Sequence, residues 1–114
     1  MADLMLASAQ RDAAAYSALV DNAGIHDSIL GFHAQQVVEK AIKAVLFRHG
    51  VMVPRSHNIA QLLLALDDAA IGPPPHADAL DALNPYAVAA RNGALDAGEL
   101  DRGVTTAWVK DLLA

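Results

Sequence analysis

The chain contains no cysteine among its 114 residues, and only 4% of its residues are aromatic. A disulfide framework and a thiolate metal site are therefore excluded. No apolar run reaches the roughly 18 residues that a membrane-spanning helix needs. Asp3 stands where a secretory signal peptide would carry positive charge. We therefore predict one domain, residues 1–114, that is cytoplasmic and does not bind a membrane.

The charge of the chain is unevenly distributed. The net charge is −5, but residues 28–66 carry four basic residues and one acidic residue, a net charge of +3. An acidic chain with one basic segment is not typical of a general nucleic-acid coat. The segment could instead hold a single phosphate group or an acidic partner. An ordinary solvated helix face is the alternative interpretation.

The pattern of apolar residues predicts an all-α domain, because no segment shows the two-residue alternation of a strand. We expect five helices, at about 2–22, 25–49, 57–70, 76–91 and 104–113, with Ser56 as the N-cap of the third and a loop over 92–103. Short connections favour an antiparallel up-and-down four- to five-helix bundle. Gly31 inside the second helix predicts close contact with another helix. Asn84-Pro85 is predicted to kink or divide the fourth helix.

Several site chemistries are absent from the pattern. The five histidines do not form a pair at the i, i+4 spacing of a helical metal clamp, so we expect no metal and no cofactor. The sequence also has no glycine-rich phosphate loop and no strand-turn-serine elbow of an acyl-transfer enzyme. His57, directly after the predicted N-cap, is expected to cap or pack locally.

The second helix carries a polar cluster inside an apolar sequence: Gln35, Gln36, Glu39, Lys40 and Lys43. Buried polar groups cost free energy unless they are paired. Glu39 and Lys43 form a favourable i, i+4 pair, and the two glutamine amides can bridge helices. The cluster is therefore a hydrogen-bonded seam between helices or subunits, or a ligand-binding seam.

Arg91-Asn92 is the second candidate, at the end of the fourth predicted helix. An arginine there is favourable with the helix dipole, which is a purely structural interpretation. The functional interpretation is a permanently charged fork suited to a phosphate.

Three stretches together resemble the HEPN domain family, small helical domains found beside minimal nucleotidyltransferases. Residues 32–44, FHAQQVVEKAIKA, are similar to the family's QQ-x-x-EK-x-x-KA helix. Ser56-His57-Asn58-Ile59 with Leu62 resembles its (T/S)-H-(D/N) helix start, and Asn84-Pro85-Tyr86 followed by Ala90-Arg91 resembles the stretch before its late arginine. The resemblance covers nearly the whole chain and implies a four- to five-helix bundle that dimerises.

Many HEPN proteins are ribonucleases that use an arginine, a polar residue and a histidine a few positions later, paired across a dimer. Arg91-Asn92 matches the first half of that motif, but no histidine follows His76. Another branch has tyrosine after the arginine, and this chain has Asn92-Gly93 instead. The usual proton carrier for attack by the 2′-hydroxyl is therefore missing.

The resemblance and the broken motif together lead to one main expectation, a non-catalytic or weakly catalytic HEPN protein that is the partner of a nucleotidyltransferase. A nucleotide or RNA phosphate would bind at Arg91, Asn92, Lys43, Arg55 and His57. Gln35, Gln36, Glu39 and Lys40 would mainly form the structural or interface seam. Two alternatives stay open: a metal-independent RNase toxin of a toxin–antitoxin pair with a degenerate Arg…His motif, and a structural dimerisation module without a ligand.

Overall fold

The structure, a computed structural model, describes residues 1–91 and 99–114, and of Arg91 only the backbone. Its α-helices are α1 (Ala2–Leu19), α2 (Asp27–Arg48), α3 (Ile59–Asp68), α4 (Asn84–Arg91) and α5 (Arg102–Leu112), with a 3-10 helix, Leu80–Leu83, before α4. The described ranges contain no strand, so the all-α prediction is confirmed there. The described helices pack into a bundle with dimensions of 41 × 25 × 23 Å.

The central element is α2, which packs against α1, α3, α4 and α5. It buries one broad apolar face because its apolar residues recur every three to four positions. That face meets apolar side chains from every other helix. The fully buried members are Leu30, Ala34, Val37, Val38 and Leu46 of α2, Ile59 and Leu62 of α3, and Leu80 of the 3-10 helix.

Gly31 is a point of close contact between α2 and Tyr86 of α4. A methyl group added at Gly31 would lie 2.3 Å from Cδ1 and Cγ of the Tyr86 ring. Real Cβ atoms essentially never come so close to another heavy atom. The prediction that Gly31 marks a close helix contact is confirmed, and the gain in packing outweighs its poor helix propensity of about 1 kcal/mol.

The prediction of one helix over 76–91 is wrong in its first half. His76 has a φ of +63°, which is outside the right-handed helical region. A turn and the short 3-10 helix follow, and α4 begins only at Asn84. The predicted division at Asn84-Pro85 is confirmed. Pro85 lies in the first turn of α4. Backbone N–H groups of a first turn have no carbonyl partner within the helix, so the missing N–H of proline breaks no helical hydrogen bond.

The start of α3 also differs from the prediction. Its N-cap is Asn58, not Ser56, since Asn58 Oδ1 accepts hydrogen bonds from the backbone N–H groups of Ala60 and Gln61. Ser56 Oγ instead accepts from the N–H of Asn58. Both side chains stabilise the same turn, but the helix begins two residues later than predicted.

The Arg102 side chain links the start of α5 to the connection between α1 and α2 through hydrogen bonds. Its guanidinium donates to the carbonyls of Val20, Asn22 and Ile25 and to Asp27 Oδ1 at 2.7–3.1 Å. Asp27 Oδ2 also accepts from the N–H of Leu100 at 3.0 Å. The Leu100 hydrogen bond is the main cause of a lowered pKa for Asp27, and Arg102 lowers that pKa further against the opposing effect of burial.

Within the described ranges, none of the helices is both long and apolar enough for a bilayer crossing.

Candidate functional site

The buried carboxylate of Glu39 is the centre of the polar cluster on α2. Glu39 is only 4% exposed. Its Oε1 accepts from Gln35 Nε2 at 3.1 Å and lies 2.9 Å from His57 Nδ1, and its Oε2 accepts from Lys43 Nζ at 3.2 Å. A buried charge is tolerated when such partners replace water. Glu39 therefore joins the middle of α2 to the segment before α3.

The Gln35 side chain forms a hydrogen bond with the main chain of the segment before α3. It is fully buried, and its Nε2 donates a second hydrogen bond to the backbone carbonyl of His57 at 2.9 Å. Gln36 Nε2 donates to Gln35 Oε1 at 2.7 Å, which fixes the orientation of the Gln35 amide. The ring and the backbone of His57 are thus both tied to α2.

Lys40 belongs to a different contact. Its Nζ donates to Asp12 Oδ2 of α1 at 2.7 Å, and the other oxygen of Asp12 lies 3.1 Å from His33 Nδ1. The predicted cluster is therefore divided between two faces of α2. Gln35 and Glu39 contact the segment before α3, Lys43 pairs with Glu39, and Lys40 contacts α1.

A cleft of about 250 Å³ lies between the segment before α3 and the first turns of α4. Asn84 holds its two walls together, because Asn84 Oδ1 accepts from the N–H of Ile59 at 2.9 Å. Arg55 and His57 are exposed on one wall. The full lining is Arg55, Ser56, His57, Asn58, Asn84, Ala87 and Val88.

The HEPN domain model matches residues 2–112, nearly the whole chain. The chain belongs to the HEPN family. No curated protein and no solved structure matches it significantly.

The cleft of this HEPN domain brings some of the predicted binding residues together. Arg55 and His57 line it. Lys43 is not among the described lining residues, and its ammonium is engaged with Glu39. Arg91 is the last residue of α4, four positions after Ala87 and three after Val88. Residues at those spacings are neighbours on a helix surface. The Arg91 side chain and all of Asn92 lie outside the described residues.

Two partners of the residues described above were not predicted as such. Asn84 was predicted as a helix break and as part of the family resemblance, but not as the side chain that joins α4 to α3. Asp12 carried no local pattern, because its partner Lys40 is 28 residues away in sequence. As for metals, the described part of the chain contains no group of three or more histidine, cysteine, aspartate or glutamate side chains placed to hold an ion.

Proposed function

We propose that this HEPN domain binds the phosphate of a nucleotide or RNA in the cleft, as the non-catalytic or weakly catalytic partner of a nucleotidyltransferase. One observation carries the proposal: the cleft places exposed Arg55 and His57 opposite Ala87 and Val88, one helical turn before Arg91. In this proposal Arg91 is the main phosphate ligand, with Asn92 beside it.

The charge around the cleft supports an anionic ligand. Among the described residues the cleft lining includes no carboxylate, and the nearby negative charge of Glu39 is matched by Lys43. A guanidinium can donate two parallel hydrogen bonds to a phosphate, which makes arginine well suited to this role. Lys43 helps indirectly, because it neutralises Glu39 and so leaves the charge of Arg55 available to the ligand.

The test compares binding of a radiolabelled nucleotide or a short RNA to the wild type, Arg91→Ala and Arg55→Ala. Loss of a charge-assisted hydrogen bond costs about 1.5–3 kcal/mol, so we expect about ten- to hundredfold weaker binding for each variant. Arg11→Ala is the matched control, since Arg11 is exposed on α1. Equal binding by all four proteins, or no binding by the wild type, would contradict the proposal.

The partnership and the assembly rest on family membership alone. We propose a homodimer of antiparallel up-and-down bundles that associates with a nucleotidyltransferase. Light scattering at micromolar concentration tests the dimer, and co-purification with the product of an adjacent nucleotidyltransferase gene tests the partnership. A monomer that never co-purifies with that protein would contradict both the dimer and the partnership.

A second candidate function is an RNase toxin with an altered motif, and the position of His57 in the cleft favours it. A histidine there could take the proton from a 2′-hydroxyl as its oxygen attacks phosphorus, while the leaving 5′ oxygen takes a proton from water. This candidate predicts RNA cleavage in the presence of a chelator, its loss in His57→Gln, and growth arrest on expression alone. Harmless expression together with intact RNA would exclude it.

A further inference from the structure

The hydrogen bonds around Glu39 determine where His57 carries its hydrogen. Gln35 Nε2 lies within hydrogen-bond distance of both Glu39 Oε1 and the carbonyl of His57, so it donates to both. Lys43 Nζ can only donate, and it does so to Oε2. The carboxylate therefore accepts at both oxygens. His57 Nδ1, 2.9 Å from Oε1, is then the donor and carries the hydrogen.

The other ring nitrogen of His57, Nε2, is available to a ligand. The side chain is 54% exposed, and the described residues provide no hydrogen-bond partner for Nε2. In the neutral ring with hydrogen on Nδ1, Nε2 presents a lone pair, which repels an anion. A fully ionised phosphate or sulfate, which can only accept, forms a hydrogen bond with this atom only after the ring takes up a second proton. On the other side of the ring, the Glu39 carboxylate accepts from Nδ1 in either state of the ring.

We propose that His57 is a proton-coupled phosphate ligand: Nε2 donates to a phosphate oxygen, and each binding event takes up one proton. This inference rests on the proposed function and specifies its ligand. The imidazolium and the Arg55 guanidinium together present two positive charges at the cleft. A terminal phosphate carries a charge of about −1.5 to −2 at neutral pH, and so matches them better than a singly charged internal phosphodiester.

Within residues 1–91 and 99–114, the charged groups around His57 come from three elements. On α2 these are Glu39, whose Oε1 contacts the His57 ring, and Lys43, which pairs with Glu39 Oε2. On its own segment the charged neighbour is Arg55, which does not titrate in this range. Ala87 and Val88 of α4 are uncharged, and Arg91 at the end of α4 also keeps its charge throughout.

Sulfate is the probe that isolates His57, because it stays doubly charged from about pH 5 to 8, the range in which a histidine switches. We expect wild-type affinity, measured by NMR or calorimetry, to fall as pH rises from about 5 to 8. His57→Gln keeps a donor but cannot titrate, so its affinity should not depend on pH. His49→Gln is the matched control: His49 is exposed at the end of α2 and contacts its own helix.

A second experiment tests whether the ligand carries a terminal or an internal phosphate. At pH 6 a nucleoside monophosphate should bind up to about fivefold more tightly than a dinucleotide whose only phosphate is internal, since an additional charge interaction at exposed side chains is worth up to about 1 kcal/mol. Equal affinities would overturn the preference for a terminal phosphate. Sulfate binding without pH dependence, or with a dependence that persists in His57→Gln, would overturn the role of His57 and leave the proposed function standing. No binding of any of these anions by the wild type would overturn both.

Discussion

Replacement of Gly31 by alanine tests the packing of α2 against α4. The added methyl group would lie 2.3 Å from two carbons of the Tyr86 ring, more than 1 Å inside ordinary van der Waals contact. Those carbons are near the ring's attachment to its backbone, and Tyr86 is only 5% exposed, so the ring cannot simply rotate away. α2 and α4 would have to separate.

The expected change in the free energy of unfolding is the difference between two opposing contributions. Overpacking of a buried contact costs typically 1–3 kcal/mol, and a displacement of this size belongs in the upper part of that range. The alanine also gains about 1 kcal/mol of helix propensity. The net loss should be about 2 kcal/mol, which for a domain of this size lowers Tm by roughly 8 °C.

Thermal or urea denaturation followed by circular dichroism provides the measurement. Gly103→Ala is the matched control, because Gly103 is also helical and its added methyl group meets only an ordinary contact at 3.5 Å. That variant should be unchanged or more stable, by up to about 1 kcal/mol. In a Tyr86→Ala background, Gly31→Ala should lose its cost. A Gly31→Ala protein as stable as the wild type would refute this account of the α2–α4 contact.

Three further changes test the other contacts that shape the site. Arg102→Ala should lose about 2 kcal/mol or more in urea denaturation, because three carbonyls and Asp27 lose their donor; exposed Lys110→Ala should change stability by less than about 0.5 kcal/mol. The lowered pKa of Asp27 means that its carboxylate stabilises the fold above its ordinary value of about 4, and that this contribution is lost as pH falls through the lower folded value. The stability difference between the wild type and Asp27→Asn should therefore be largest near neutral pH and shrink in acid, and a constant difference would contradict this. Asn84→Ala should cost about 1 kcal/mol because the N–H of Ile59 loses its acceptor, whereas Asn84→Asp, which keeps the acceptor, should retain most of the stability.

The helices that were predicted well depend on local features. The ends of α2 agree with the prediction within two residues, because an apolar period and nearby caps define them. α5 begins at Arg102, two residues earlier than predicted, because Asp101 Oδ1 caps it through the N–H of Val104. The region before α4 was mispredicted because His76 adopts a positive φ, which no periodicity in the apolar residues indicates.

The contacts between the polar residues of α2 and the other elements could not be predicted from the sequence. The period of α2 identified its polar residues, but not which element covers each of them. Glu39 meets His57, 18 residues later, and Lys40 meets Asp12, 28 residues earlier. Those pairings depend on how α1 and the start of α3 pack around α2, and helical spacing within one segment contains no information about that packing.

The central claim is that the cleft beside α4 is where the ligand binds, and NMR chemical-shift mapping of the wild-type chain with a nucleoside monophosphate tests it most directly. We predict that the perturbed backbone amides cluster in Arg55, His57 and Asn58, in Asn84 and in residues 86–91. The comparison surface is the apolar groove lined by Ala41, Val45 and Leu112 on another face of α2. Perturbations confined to that groove, or none at millimolar ligand, would contradict the account.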